Sequence, residues 1–316
     1  MKIPMTIAII PEGVLSIGSN VIVSKKINLP SSVVEIKDWA FASPDVQCVR
    51  FEPNCKLKKI GKAIISGGYD RCVVIENFPL TVQESEPYAF GKSNLICCLY
   101  SKEDFLNAYG ENNPMFASEK FSKTGNRVEN TNKHIFLFNY KRCVTVNGFK
   151  VAIGLNDAVI FAFNGILDEV IKMPSIVEGV PVTAIHGSVF CSIYNSAFLS
   201  GVEIKEIHLP KNLLKIPDCE RTFDFSYKGF YPTMFIPSSL KKIGELGLME
   251  GFKYVFEKDY SELTYLAETV DFFPENKHVI APNLSEQKIY ELNQKAGKII
   301  DINGGKAFRE EKKNIF

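Results

Sequence analysis

Few residues of this 316-residue chain combine the type and spacing that chemistry requires. Phe90-Gly91-Lys92-Ser93 carries the Gly-Lys-Ser end of a phosphate-binding loop, but Glu86 stands where such a loop needs its first glycine, and no strand-to-helix context follows. No nucleotide site is assigned there. The four histidines, His134, His186, His208 and His278, show neither H-x-x-x-H nor carboxylate spacing, so neither a metal set nor a catalytic triad is expected. Eight cysteines, at positions 48, 55, 72, 97, 98, 143, 191 and 219, lack metal-type pair spacing, and a chain of this size does not need a disulfide framework. They read as buried thiols. A Cys-His pair assembled across repeats, or a cleft between two arrays, is the enzymatic alternative, and Asn283-Leu284-Ser285 is an isolated glycosylation sequon. No catalytic, cofactor-binding or metal-binding residue follows from the sequence, and the chain reads as no enzyme.

The chain is organised instead by a recurring stretch, written KINLPSSVVEIKDWAF at residues 26–41. An apolar residue, Leu29, precedes Pro30, and Val33, Ile36 and Phe41 follow it at fixed intervals. The pattern returns at Pro11 (Ile10, Val14, Ile17, Ile22), Pro79 (Phe78, Val82, a polar Ser85, Phe90) and Pro237 (Ile236, Leu240, Ile243, Leu248). Pro210 keeps the first half, with Leu209, Leu213 and Ile216, and then carries an insertion before Phe223. The Pro53 unit is looser by one residue (Leu57, Ile60, Ile65), and the Pro174 unit is stretched by a loop before Val182, Ile185 and Phe190. The closing apolar positions Ile22, Phe41, Ile65 and Phe90 lie 19, 24 and 25 residues apart, a period that signals a solenoid. Alternating segments such as Ile27-Asn28-Leu29 predict short strands, and proline ends each because it lacks a ladder donor. Turn residues and a second apolar segment complete the unit, which can bury its apolar face only against its neighbours.

Leu29-Pro30 through Ala40-Phe41, Ile10-Pro11 through Ile17-Gly18, and Ile236-Pro237 through Ile243-Gly244 carry a resemblance to the BspA-like leucine-rich repeats. Lys37, His186 and Pro217 stand where that family favours glycine. The resemblance implies a β-rich repeat solenoid with α+β caps, in two stacked arrays with short capping helices. It also implies a concave strand surface for binding a protein partner, as an adhesin or recognition scaffold. The outward row two residues before each proline, or its equivalent, gives the candidate binding residues Asn28, Arg50, Val74, Lys172, His208 and Phe235. A second row holds Lys26, Cys48, Cys72, Val170, Glu206 and Thr233. Mixed polar and apolar character suits a protein; a glycan is the alternative, which would favour clustered aromatics.

Composition agrees with a soluble globular chain: 46% is hydrophobic, and a net charge of +1 gives no pull toward nucleic acid or anionic lipid. Residues 1–121 are predicted to form the first array, with Leu95-Ile96-Cys97-Cys98-Leu99 as its last strand. A capping helix follows, started by a Ser101/Asp104 capping box and presenting Phe105, Leu106 and Tyr109. Residues 122–133 read as a linker and 134–300 as a hairpin cap plus second array, with Asn147-Gly148 as the hairpin turn. Helices are expected over residues 259–267 and 283–296, and residues 301–316 form a polar tail. Met1-Lys2-Ile3-Pro4 enters the first repeat without a signal-peptide h-region and no apolar run approaches a membrane span, so the chain as written reads as cytoplasmic. Members of the resembling family are often secreted or at the cell surface.

Overall fold

The fold was analysed in a computed structural model, which describes residues 7–21, 24–65, 72–87, 89–91, 94–110, 115, 134–216, 232–243, 253–257, 264–265 and 278–280. The chain divides into two compact units, residues 1–142 and 143–316. The first alternates longer and shorter strands: β1 (Ile7–Ile9), β2 (Ser16–Ile17), β3 (Lys26–Leu29), β4 (Glu35–Ile36), β5 (Cys48–Phe51), β6 (Lys59–Ile60), β7 (Val74–Glu76), β8 (Glu84–Ser85) and β9 (Leu95–Cys97). Helix α1 (Lys102–Tyr109) and strand β10 (Ile135–Leu137) close it. The longer strands form one sheet in the order β1-β3-β5-β7-β9-β10, and β2-β4-β6-β8 form another. All pairings are parallel, because each chain segment climbs one unit before returning to the same place.

The turn after each proline is the element that repeats most faithfully. Val14, Val33, Leu213 and Leu240 each donate their backbone N–H to the carbonyl of the proline three residues earlier, at 3.4, 3.3, 3.0 and 3.2 Å. The looser Pro53 unit has a physical reason: Cys55 N–H bonds to Glu52 instead, which moves Pro53 to the second turn position, and Asn54 takes the left-handed conformation (φ 62°) that follows it. Hydroxyls in these turns tie unit to unit. Ser32 Oγ donates to Val14, Thr81 Oγ1 to Leu57 and Ser239 Oγ to Leu213, at 2.9, 2.7 and 2.8 Å. Gly61 is required by close stacking, since a Cβ there would lie 2.5 Å from the backbone nitrogen of Asp38 in the preceding unit.

Between the sheets of the first unit lies an apolar core of Ile27, Val49 and Ile75 from the longer strands and Ile17, Ile36 and Ile60 from the shorter. Phe51, Phe78 and Phe90 run through it in edge-on contacts at 6.0 and 5.4 Å between ring centroids. The predicted capping box forms, with Asp104 N–H bonded to Ser101 Oγ and Ser101 N–H to the Asp104 carboxylate. Phe105 and Tyr109 of α1 are buried, Leu106 packs beside them, and Tyr109 Oη donates to the Pro79 carbonyl at 2.6 Å. The strand expected to end the array does not end it. β10 pairs with β9 in register, Ile135 beside Leu95 and Leu137 beside Cys97, so residues 135–137 complete the first unit's sheet.

The second unit opens on a hairpin, β11 (Arg142–Val146) and β12 (Phe149–Ile153), whose Asn147 (φ 50°) and Gly148 (φ 80°) adopt the left-handed pair that this turn demands. Strands β13 (Ala158–Phe163), β14 (Val170–Lys172), β15 (Ile176–Val177) and β16 (Val180–Ile185) follow, then helix α2 (Ser188–Ser200). After it come β17 (Glu206–His208), β18 (Lys215–Ile216), β19 (Thr233–Ile236), β20 (Lys242–Ile243), β21 (Lys253–Phe256), β22 (Thr264–Tyr265) and β23 (His278–Ile280). One sheet runs β14-β17-β19-β21-β23; the other joins the hairpin through β13 to β16-β18-β20-β22.

Two expectations change. The stretched Pro174 unit contains a β15–β16 hairpin turning at Glu178-Gly179, and its Phe190 is buried on α2, an element the spacing did not predict. The helix expected over residues 259–267 is contradicted at Thr264–Tyr265, which form a return strand paired with β20. That unit lacks the proline by which its predecessors are counted. The linker at 122–133, the insertion ahead of Phe223, the helix at 283–296 and the tail lie outside the described residues.

Ile36 is fully buried within the first core, between Ile17 and Ile60 of the neighbouring repeats. Truncating it to alanine should cost ~2–5 kcal/mol through the cavity left behind. Hydrogen exchange should show protection lost chiefly in the units on either side of it. Equal loss across residues 1–142 and 143–316 would mean that the chain unfolds as one cooperative core.

Candidate functional site

In a strand, alternate side chains face opposite ways. Ile27, Leu29, Val49 and Phe51 point into the first core, which turns Lys26, Asn28, Cys48 and Arg50 outward, all of them half-buried. Register sets these in rows. Asn28 pairs with Arg50 and Arg50 with Glu76, while Lys26, Cys48 and Val74 form the adjacent row. The predicted position Val74 is therefore corrected: it is two residues out of register with Arg50, is only 2% exposed, and belongs to the second row in place of Cys72. The run Val73-Val74-Ile75 is apolar throughout and carries no alternation from which the phase can be read.

Glu76 occupies the vacated place and is 4% exposed. One carboxylate oxygen accepts from Arg50 Nε at 2.5 Å and the other from Tyr140 Oη at 3.0 Å. Tyr140 arrives from beyond β10, anchored by its N–H on the Cys98 carbonyl. Partial burial works against the Arg50 charge, but the hydrogen bond and charge of Glu76 outweigh it and raise its pKa above the ordinary arginine value. Neither Glu76 nor Tyr140 was among the predicted site residues. A carboxylate inside the apolar strand Val74–Glu76 was the available signal, because a buried charge requires a partner.

The second unit keeps the predicted register. Lys172, His208 and Phe235 are successive partners on β14, β17 and β19, with Val255 of β21 next; Val170, Glu206 and Thr233 form the neighbouring row. The His208 and Phe235 rings stack at 4.3 Å between centroids with an interplanar angle of 6°. His208 Nε2 meets Glu206 Oε2 at 2.8 Å, and beside this row Lys205 Nζ pairs with Glu169 at 2.7 Å. His186 and His134 make contacts of another kind. His186 Nδ1 lies 2.9 Å from Ser188 Oγ and accepts the Ser188 N–H at the start of α2, while Ser188 Oγ donates to the Phe161 carbonyl. His134 Nδ1 accepts from Asn94 N–H.

Among the described residues no cluster of three His, Cys, Asp or Glu could hold a metal ion, and no helix is long and apolar enough to cross a membrane. Gly91 is described but Lys92 and Ser93 are not.

The pattern of the BspA type leucine-rich repeat region matches six copies, over residues 1–105 and 183–250. The chain belongs to that family. Its repeats account for the parallel, in-register strands of both units. A solved structure, a leucine-rich cell surface protein from Faecalibacterium prausnitzii A2-165, is similar at 14% identity over 82% of this chain and 89% of its own, with a TM-score of 0.22. No curated protein matches.

None of the described cysteines is in a disulfide. Burial pushes the Cys98 thiol up to about 12, so the folded chain holds it neutral. Its contribution to stability is complete below the ordinary value of 9.0 and is lost as pH rises toward about 12. At roughly pH 8, iodoacetamide should label the half-buried Cys48, Cys72 and Cys143 and spare Cys55, Cys97, Cys98 and Cys191 until denaturant is added. Peptide mapping by mass spectrometry reads the result; rapid native labelling of Cys98 would contradict its placement.

Proposed function

We propose that this member of the family is a non-enzymatic recognition scaffold that binds a protein partner through the outward strand rows of its longer strands. The observation that carries the reading is side-chain order on those rows. Arg50 is held by Glu76, and His208 is held by Phe235 and Glu206, so these groups have given up much of their rotamer freedom before any partner arrives. Arginine and aromatic side chains held in this way are the types that anchor protein interfaces. Families of such repeats are rich in surface and adhesion proteins, which fits a role in contact rather than turnover.

The glycan alternative needs an open aromatic face. Phe235 spends one face on His208 and stands beside Val255 on the other side, so little of its ring is offered flat to a sugar. The protein reading is favoured.

Immobilised wild-type chain and a variant combining Arg50→Ala, Lys172→Ala and Phe235→Ala should separate in a pull-down from native lysate and membrane extract, with circular dichroism confirming that both are folded. The variant is expected to lose the protein that wild type captures by about a hundredfold, two or three anchors of the usual size being removed. Undiminished capture by the folded variant would move binding off the strand rows.

A further inference from the structure

His208 stands in the middle of the second unit's outward row, with Lys172 as its Cα partner on one side and Phe235 on the other. Its ring is held twice. Phe235 lies parallel to it, 4.3 Å away between centroids and 6° between planes, and Nε2 meets Glu206 Oε2 at 2.8 Å. The second ring nitrogen stays open. Nδ1 makes no hydrogen bond to a described residue, and it is reached by solvent on a side chain that is 33% exposed.

Those contacts fix what Nδ1 offers. An ionised carboxylate can only accept, so in the neutral ring the proton sits on Nε2 and Nδ1 is an acceptor. Protonation keeps the Nε2 bond, now charge-assisted, and converts Nδ1 into a donor. The phenyl face of Phe235 accommodates the neutral ring by stacking and the imidazolium by cation–π attraction, so neither form is expelled. A turn of the ring therefore does not absorb the proton, which changes the surface at a fixed point.

The charged groups around the ring set the meaning of that change. On β14, Lys172 is exposed beside it in the same row. On β17 stand Glu206 and Lys205, the latter paired with Glu169. On β19, Phe235 and Thr233 carry no charge, and Lys253 of β21 lies beyond Thr233 by register. With His208 neutral, the Lys172 row presents one cation beside an acceptor; with His208 protonated, it presents two adjacent cations, both donors. Imidazole is the side chain whose ordinary titration falls between about pH 5 and 8.

We propose, building on the strand-face reading above, that His208 is a pH-sensitive element of this face, which inverts from hydrogen-bond acceptor to cationic donor at Nδ1 while Glu206 and Phe235 hold the ring in place.

The test follows the ring in the full chain, with isotope-labelled histidines observed by NMR and His208→Gln supplying the assignment. At about pH 8, Nε2 should carry the proton and Nδ1 none; on acidification toward about pH 5, the Nδ1 resonance should shift to the protonated position while that of Nε2 stays. The upfield displacement that the Phe235 face imposes on the His208 ring protons should persist throughout and be lost in Phe235→Leu. Glu206→Ala should release the Nε2 proton to exchange with water and remove its signal. The wild-type titration is decisive even where a variant fails to fold. A proton on Nδ1 at about pH 8, an Nδ1 resonance unmoved by acid, or loss of the Phe235 displacement in acid would overturn the proposal. In the pull-down, wild-type capture should change about tenfold between the two pH values and stay constant in His208→Gln, the effect of one hydrogen bond made in a single protonation state. Capture by wild type that ignores pH would also overturn it. A ring that titrates as described in a chain whose triple variant still captures its partner removes only the strand-face reading; loss of capture by the triple variant with a ring that fails these tests removes only the switch.

Discussion

Everything in this chain depends on parallel strands remaining in register from one unit to the next. A single unit has one short strand, a turn and a two-residue return, far too little to bury its own apolar residues. Its Ile or Phe becomes buried only when the equivalent residue of the next unit lies directly above it, as Ile36 does with Ile17 and Ile60. Slipping a strand by one residue would turn the whole inward set to solvent. The proline turns and the hydroxyl ties between units fix the height of each strand against that slip.

A stack built in this way has ends, and the end of the first unit shapes its surface. Toward β9 and β10 the apolar character continues on both faces: Leu95 and Cys97 face outward by alternation yet are fully buried. Phe105 contacts Tyr109, Phe136 and Phe138 within 5.0 to 5.4 Å, closing the core side of the last strands. Tyr140 comes back over the opposite face and reaches Glu76. The outward rows therefore grade from half-buried polar groups at Lys26, Asn28 and Arg50 to a closed apolar end. Arg50 stands at the border, held on its closed side and open on the other. The same segment that completes the sheet also sets the orientation of a surface arginine.

Repeat identity, the proline turns, the α1 capping box and the Asn147-Gly148 hairpin were all legible in the sequence, because each is a local code carried by a few adjacent residues. What was hidden depended on distance or on a missing marker. β10 joins β9 across more than thirty residues without repeat spacing, and Tyr140 finds Glu76 across 64. The return strand Thr264–Tyr265 lacks a preceding proline, and α2 lacks a side-chain N-cap, its start being set by His186 from outside the helix. Its apolar positions Val189, Phe190, Ile193 and Ala197 do keep helical spacing between Gly187 and Gly201, a signal masked by counting the segment as a stretched strand unit. On β7 the uninterrupted apolar run Val73-Val74-Ile75 erases the two-residue period, and Val74 pairs with Cys48 while Glu76 pairs with Arg50.

The two faces of each strand consequently carry different kinds of information. Inward positions are constrained by their counterparts above and below, so a change at one is felt in the neighbouring unit. Outward positions are bound only by the spacing of the strands, and in the two units they have been filled differently: a buried carboxylate steadies an arginine in one, and an aromatic ring steadies a histidine in the other. Neither device strengthens the core. A glutamate at 4% exposure carries a desolvation penalty, and an apolar residue at that position would pack without it. What it provides instead is a fixed anchor for Arg50 Nε, itself held in place by Tyr140.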